Sequence, residues 1–367
     1  MERTEGDHLA TRGLRHHVVR IRVDDLLVED RAAVVARGVG HLRAAEFLEQ
    51  VRHGLEVVAA RGANRAVGAG EGHRLTFDRI EWSERPAVKS PLVVCAFKGW
   101  NDAGEAATAA LAFLIDSFDA TEVGRIDPEE FYDFTAVRPT VRLSEGRTRV
   151  IEWPENSIHA AQVTGAEHDL LLVQGTEPSL RWGQFTGMVV DAARELDAHM
   201  VITLGALLAD VPHSRPVPIT GIASNGELVE KLGYERSTYE GPTGIVGVLH
   251  HACARAGVSS VSLWASVPHY VAAAPNPKAA LALIRSFEGV AGVAVEALDL
   301  EESAEDYERQ VSAAVASDPE VKSFVERLEQ TIDEIQPEVT PDQIPSADAI
   351  ARDFQRFLRQ RGPNDPR

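Results

Sequence analysis

Four short apolar runs recur through the chain, and each is followed by a polar stretch. They are PLVVCAF (91–97), HDLLLVQG (168–175), HMVITLG (199–205) and SSVSLWASV (259–267). Runs so short and so uniformly apolar suit strands buried on both faces. Helical spacing lies between them: NDAGEAATAALAFLIDSF (101–118), a segment near 181–196, GIVGVLHHACARAG (244–257) closed by Gly257, and NPKAALALIRSFEGVAG (276–292) opened by a proline. Strands alternating with helices predict an α/β fold with a mostly parallel sheet between helices. Four further stretches read as strands. LTFDRIEW (75–82) alternates like an edge strand, TEVGRID (121–127) and VPITGIAS (217–224) read as strands, and VRLSEGRTRVIEWP (141–154) reads as a hairpin turning at Glu145-Gly146.

The 367 residues suffice for a substantial core, and their text divides into three parts. Residues 1–74 are an Arg-rich extension with 12 Arg and 11 Asp or Glu, and nothing in them resembles a motif. They are expected to be poorly ordered or to come from a start codon placed too far upstream. Residues 75–295 are expected to form the α/β core domain. Residues 296–362 are expected to form an acidic helical segment packed on that core. Within it, 296–338 holds 14 Asp or Glu against three Lys or Arg. Val321, Phe324, Val325, Leu328 and Ile332 form one apolar stripe there, so the acids read mostly as a solvated face. A last helix, 346–362, is capped at Ser346 and is expected to dock on the body or on another subunit.

Charge narrows the partners. The chain carries a formal net charge of −19, and residues 75–367 hold 25 Lys or Arg against 45 Asp or Glu. Such a body repels phosphate, so no nucleic-acid partner is expected. No apolar run reaches the roughly 18–20 residues of a membrane span, so no membrane partner is expected either. Two cysteines, Cys95 and Cys253, make neither a disulfide framework nor a zinc spacing, and a reducing cytoplasm fits them. His250 and His251 are adjacent on a helix and face different ways. Neither a metal nor a cofactor is expected.

The polar motifs after the four apolar runs are KGWND (98–102), GTEP (175–178), GALLADVPHSRP (205–216) and VPHY (267–270). The C-terminal edge of a parallel sheet is where α/β proteins bind ligands, so these loops are expected to converge on one crevice. The candidates there are Asn101, Asp102, Glu177, His213, Ser214, Arg215, His269 and Tyr270, with His213, Arg215 and Glu177 as the candidates for chemistry. Arg215 could bind an anion, His213 and Glu177 could move a proton, and Asp102 could orient a water. Each has a plainer reading beside it. Asp102 caps the helix that follows it, and Glu177 pairs with Arg215. His213 and Ser214 bond loop backbone between stiff prolines, and His269 and Tyr270 pack at a subunit contact. A triad of Ser214, His213 and Glu177 is disfavoured, because adjacent Ser and His do not easily face each other and no G-x-S-x-G elbow surrounds Ser214. In YEGPTGIVG (239–247), Thr243 is a candidate for phosphate contact at a helix start, with an ordinary N-cap as the favoured role.

Several long motifs occur together in one order: FKGWNDAGEAA, QGTEPSLRW, LGALLADVPHSRPVPITGIAS, YEGPTGIVGVLH and SLWASVPHYVAAAPNPKAALALI. Over residues 75–362 they resemble the proteasome assembly chaperone two (PAC-two) family, in its bacterial, actinobacterial branch. The resemblance implies a phosphorylase/hydrolase-like α/β fold. Because relatives help assemble proteasome core particles, it also implies proteasome subunits as partners. Self-association into a homo-oligomer is expected as well, a trimer by analogy with fold relatives. Chaperones of this group often insert a tail ending in hydrophobic–Tyr–any residue. RGPNDPR does not fit that pattern, and contact through another surface stays open. The leading expectation is a non-catalytic chaperone or scaffold related to proteasome assembly. The alternative is a small-molecule binding protein, or a hydrolase- or ligase-type enzyme, using the crevice.

Overall fold

The computed structural model describes residues 75–77, 80–144, 148–224, 239–271 and 274–335. The Arg-rich extension, the turn at 145–146 and the helix 346–362 lie outside the described residues. The strands in chain order are β1 (Leu75–Phe77), β2 (Ile80–Trp82), β3 (Leu92–Lys98), β4 (Thr121–Ile126), β5 (Thr140–Ser144), β6 (Thr148–Glu152), β7 (Asn156–Ala161), β8 (Leu170–Thr176), β9 (Met200–Ala209), β10 (Ile219–Ala223) and β11 (Ser260–Pro268). The helices are α1 (Ala106–Ser117), α2 (Trp182–Glu195), α3 (Ile245–Ala256), α4 (Pro277–Ala291), α5 (Leu298–Ala316) and α6 (Pro319–Ile335).

Nine strands form one mixed sheet in the order β1-β2-β4-β7-β8-β3-β9-β11-β10. The four apolar runs are its parallel centre, β8-β3-β9-β11. They are apolar throughout because both faces are covered. Leu92, Val94 and Ala96 of β3 face a core shared with α1 and α4, while Val93, Cys95 and Phe97 face the opposite core with α2 and α3. All six are at most 1% exposed. Antiparallel strands extend this centre on both sides.

Two sequence expectations change, one strand gains a direction, and one strand is new. LTFDRIEW is not one strand but two, β1 and β2, paired with Leu75 opposite Trp82 and Phe77 opposite Ile80. VPITGIAS becomes β10 and runs antiparallel to β11. The third apolar run continues as strand to Ala209, because β11 stays beside it up to Pro268 after β3 has stopped pairing at Thr203. Residues 205–209 are therefore strand, and the loop begins at Asp210. The sequence reading also passed over β7, which lies between β4 and β8; its mixed composition, NSIHAA, carries neither clean alternation nor an apolar run.

The two acidic helices lie outside this sandwich. Leu300 of α5 joins the α1–α4 core, and Ala304, Tyr307 and Val311 bury the same side of the helix. In α6, Val325 is buried at 3% exposure. The apolar stripe exists, with Val321, Phe324, Leu328 and Ile332 half-buried beside Val325, and polar contacts add to it.

Candidate functional site

Glu177, one residue past β8, ties three loops together. Its backbone N–H donates to the Lys98 carbonyl at 2.8 Å. Its Oε1 accepts from Asn101 Nδ2 at 2.8 Å and from the Ile245 backbone N–H at 2.9 Å, and its Oε2 accepts from the Trp100 N–H at 3.2 Å. A carboxylate thus sits on the first turn of α3, where free N–H groups and the helix dipole favour negative charge. Two glycines permit this approach. Gly99 has φ +143°, and a Cβ there would lie 3.1 Å from Glu177. A Cβ on Gly244 would lie 2.2 Å from Asn101 Nδ2. Asn101 is 1% exposed, and its Oδ1 has no hydrogen-bond partner among the described residues.

Beside this knot, Asp102 caps α1 across a 3-10 turn at Ala103–Glu105. Its Oδ1 accepts from the N–H groups of Ala107 at 2.8 Å and Thr108 at 3.2 Å, and its Oδ2 accepts from the Thr108 hydroxyl. Burial pushes its pKa up to about 6 against the pull of those donors. Asp102 serves the helix start as foreseen, but from beyond the N-cap position, which Glu105 occupies, because the 3-10 turn intervenes.

His213, Ser214 and Arg215 stand apart from Glu177 and serve the acidic helices. Tyr270 Oη accepts from the His213 N–H at 2.7 Å and lies 2.8 Å from its Nδ1, while Nε2 lies 3.1 Å from Ser312 Oγ of α5. Both ring nitrogens are therefore engaged. Burial, and then the Lys278 ammonium, holds the His213 pKa below its ordinary value. Lys278 donates to the His213 carbonyl and pairs with Glu308 of α5. Ser214 donates to Glu329 of α6. Arg215 makes a two-bonded pair with Asp333, also of α6, and lies 3.8 Å from Glu329. Phe324 of α6 packs edge-on against His269 at 5.5 Å and Tyr270 at 5.9 Å.

These contacts correct two readings, the Glu177–Arg215 pair and the Thr243 cap. Glu177 does not pair with Arg215, because the acidic helices bring their own carboxylates to the guanidinium. Phe324 of the same chain packs on the His269–Tyr270 pair, and His269 keeps an exposed edge. Thr243 does not cap α3: Gly244 is the N-cap, and the Glu177 carboxylate takes the Ile245 N–H. The triad disfavoured on sequence grounds does not form, since Ser214 points to Glu329. Phe324 was visible only as part of a stripe. Lys278, Ser312, Glu329 and Asp333 carried no signal, because surface polar residues on helices look alike until a partner is known.

A cleft of about 410 Å³ opens at the ends of β3 and β8, between α1 and α5. Lys98, Asp116, Thr176 and Leu300 are among its lining residues, while Glu177, His213 and Arg215 are not. Trp100, Leu207 and Leu208 are exposed at this same sheet edge, at 64%, 42% and 60%. Among the described residues no group of three or more His, Cys, Asp or Glu side chains could hold a metal ion. None of their helices is long and apolar enough to cross a membrane.

The model of the PAC2 family matches residues 96–315. The chain belongs to the PAC2 family. The match takes in the end of β3, all of β8, β9 and β11, the Glu177 knot and most of α5. A PAC2 family protein from Streptomyces avermitilis is 44% identical, with a TM-score of 0.60, over 64% of this chain and 99% of that one. A proteasome-assembly chaperone homologue from Mycobacterium tuberculosis is 43% identical, also with a TM-score of 0.60, over 64% of this chain and 99% of that one. At 18% identity and a TM-score of 0.54, PbaB of Pyrococcus furiosus, an archaeal proteasome activator, shares the PAC2 fold over 64% of this chain and 97% of its own. No curated protein matches the chain.

Proposed function

We propose that this PAC2 protein is a non-catalytic chaperone or scaffold related to proteasome assembly, with proteasome subunits as partners. One observation carries the reading. At the sheet edge where the polar motifs converge, the side chains suited to chemistry are spent on holding the fold, while large apolar side chains stand in solvent. Glu177 has both oxygens on N–H donors, and His213, Ser214 and Arg215 hold α5 and α6. Trp100 and Leu208 remain exposed, and exposed apolar groups on one edge suit protein binding. The relatives named for proteasome assembly or activation support the choice of partner. The two free, buried cysteines support a cytoplasmic protein. Self-association belongs to the same reading.

Native mass spectrometry of the protein purified gently from its host tests it. Proteasome subunits or assembly intermediates are expected in the complex, and Trp100→Ser with Leu208→Asp should remove them. A protein that never carries such subunits overturns the reading.

The 410 Å³ cleft favours a second reading, a small-molecule site. Lys98 pairs with Glu105 at 2.8 Å, which leaves the Asp116 and Asp299 carboxylates beside apolar Phe113 and Leu300 to suit an amphipathic cation. A retained small molecule in the same spectra would support it.

A further inference from the structure

The connection from β4 to β7 carries an arm. Its base is anchored. Phe131 packs on Phe185 at 5.6 Å, Tyr132 donates to the Thr176 carbonyl at 2.6 Å, and Phe134 meets Trp153 edge-on at 5.0 Å. Beyond that base, β5 and β6 pair only with each other, as a separate two-stranded sheet. Val141, Leu143, Val150 and Ile151 are 57%, 64%, 45% and 53% exposed. The register sets Val141 opposite Ile151 and Leu143 opposite Arg149. Directly opposed residues of an antiparallel pair share a face. Val141, Leu143, Arg149 and Ile151 therefore form one face, apolar with a cation at its end. A lone two-stranded hairpin is marginal in water, and an uncovered apolar face on it marks a contact surface.

Charge identifies the occupant. Residues 138–152 carry four Arg and two Glu, against 25 Lys or Arg and 45 Asp or Glu over 75–367. Arg142 pairs with Glu152 at 2.6 Å on the other face, and Arg149 puts a positive charge on the apolar face, so the arm is a net-basic projection on an acidic body. A second copy offers the complementary charge, and its most acidic described stretch is the α5–α6 pair. In arm-to-body contact every copy supplies one arm and one receiving surface, whether two copies exchange arms or the contact runs head-to-tail round a ring. Isoleucine, valine, leucine and arginine on one face also fit the composition of interface centres, which are apolar with arginine enriched.

We propose that the β5–β6 arm is a self-association surface that docks, by its Val141–Leu143–Ile151 face, on the acidic surface of a second copy of this chain. The inference deepens the self-association part of the function proposed above and rests on it.

Light scattering on the full chain, over a hundredfold range of concentration, tests this with wild type and a Val141→Glu, Ile151→Lys variant, whose opposite charges face each other across the strands and keep the hairpin paired. Both side chains are exposed, so the variant should keep the wild-type circular dichroism and melting. Wild type is expected at a multiple of the chain mass, and the variant at the mass of one chain at every concentration. A variant that keeps the wild-type mass overturns the arm as the surface while leaving self-association standing. Wild type at one chain mass throughout overturns self-association itself. Hydrogen exchange on wild type gives a readout that needs no variant. Amides of 140–144 and 148–152 should lose protection on dilution, in step with the mass. Protection gained only on adding proteasome subunits would assign the arm to them and overturn the proposal. Neither result bears on whether proteasome subunits co-purify, so the two readings fail separately.

Discussion

The Arg215 guanidinium and the Asp333 carboxylate, 118 residues apart in sequence, form a two-bonded pair with Nε to Oδ1 at 2.8 Å and Nη2 to Oδ2 at 2.7 Å. It fastens α6, the last described helix, to the loop after β9. Such a fork-to-fork geometry fixes orientation as well as distance. The pair is open to water, so salt screens it.

Replacing Arg215 with Ala should therefore loosen α6 without unfolding the sheet. Hydrogen exchange is expected to quicken over 319–335 and stay unchanged in β3, β8 and β9. Raising the salt concentration on wild type should mimic part of this change. Equal exchange in both proteins would mean that Phe324 and Val325 hold α6 without the ion pair.

Glu177 is expected to matter more for stability. Glu177→Ala leaves the Asn101 amide and the Ile245 N–H without their acceptor. Hydrogen bonds to a charged group contribute about 1.5–3 kcal/mol each, so a loss of that order is expected. Glu177→Gln keeps one acceptor oxygen and should lose less. Gly244→Ala should fall with Glu177→Ala, because its Cβ would collide with the Asn101 amide. Urea denaturation orders the three, and a Glu177→Ala midpoint equal to wild type would exclude the knot as a support.

Asp102 gives a dependence on acid. Its folded pKa, about 6, lies above the ordinary 3.8. The folded state thus binds more protons than the unfolded state between these values, and its contribution to stability declines as the pH rises from about 4 to about 6. A shift of this size corresponds to about 2–3 kcal/mol. Asp102→Asn, which keeps an acceptor for the Ala107 N–H, should remove this slope. Melting temperatures across that range check it.

His213 works in the opposite sense. Burial and Lys278 lower its pKa in the folded state, so its contribution is complete above the ordinary value of 6.5 and declines as the pH falls below it. His159 and His250 are lowered by burial too and add to the same decline. His213→Gln should remove only its own share, and it should raise exchange in α5 near Ser312. A decline identical to wild type would show that His213 does not titrate with unfolding.

What the sequence by itself determined is the architecture. The four apolar runs are legible because a strand covered on both faces must be apolar throughout, and that requirement leaves its mark on every residue. The Asp102 cap is legible for a related reason, since both donors lie within six residues of the carboxylate. Gly257 and Gly292 likewise close their helices with φ near +70°. Tertiary structure alone decided what the polar loops do. His213, Ser214 and Arg215 look the same in sequence whether they face a substrate or a neighbouring helix. Their partners, Ser312, Glu329 and Asp333, lie on helices whose acids read as solvated. The exposed face of the β5–β6 arm was hidden in the same way. Alternating apolar residues predict a hairpin, but only its place outside the sheet shows that no part of the described body covers it. Local pattern records burial and backbone geometry, whereas the pairing of distant polar groups depends on how the chain closes on itself.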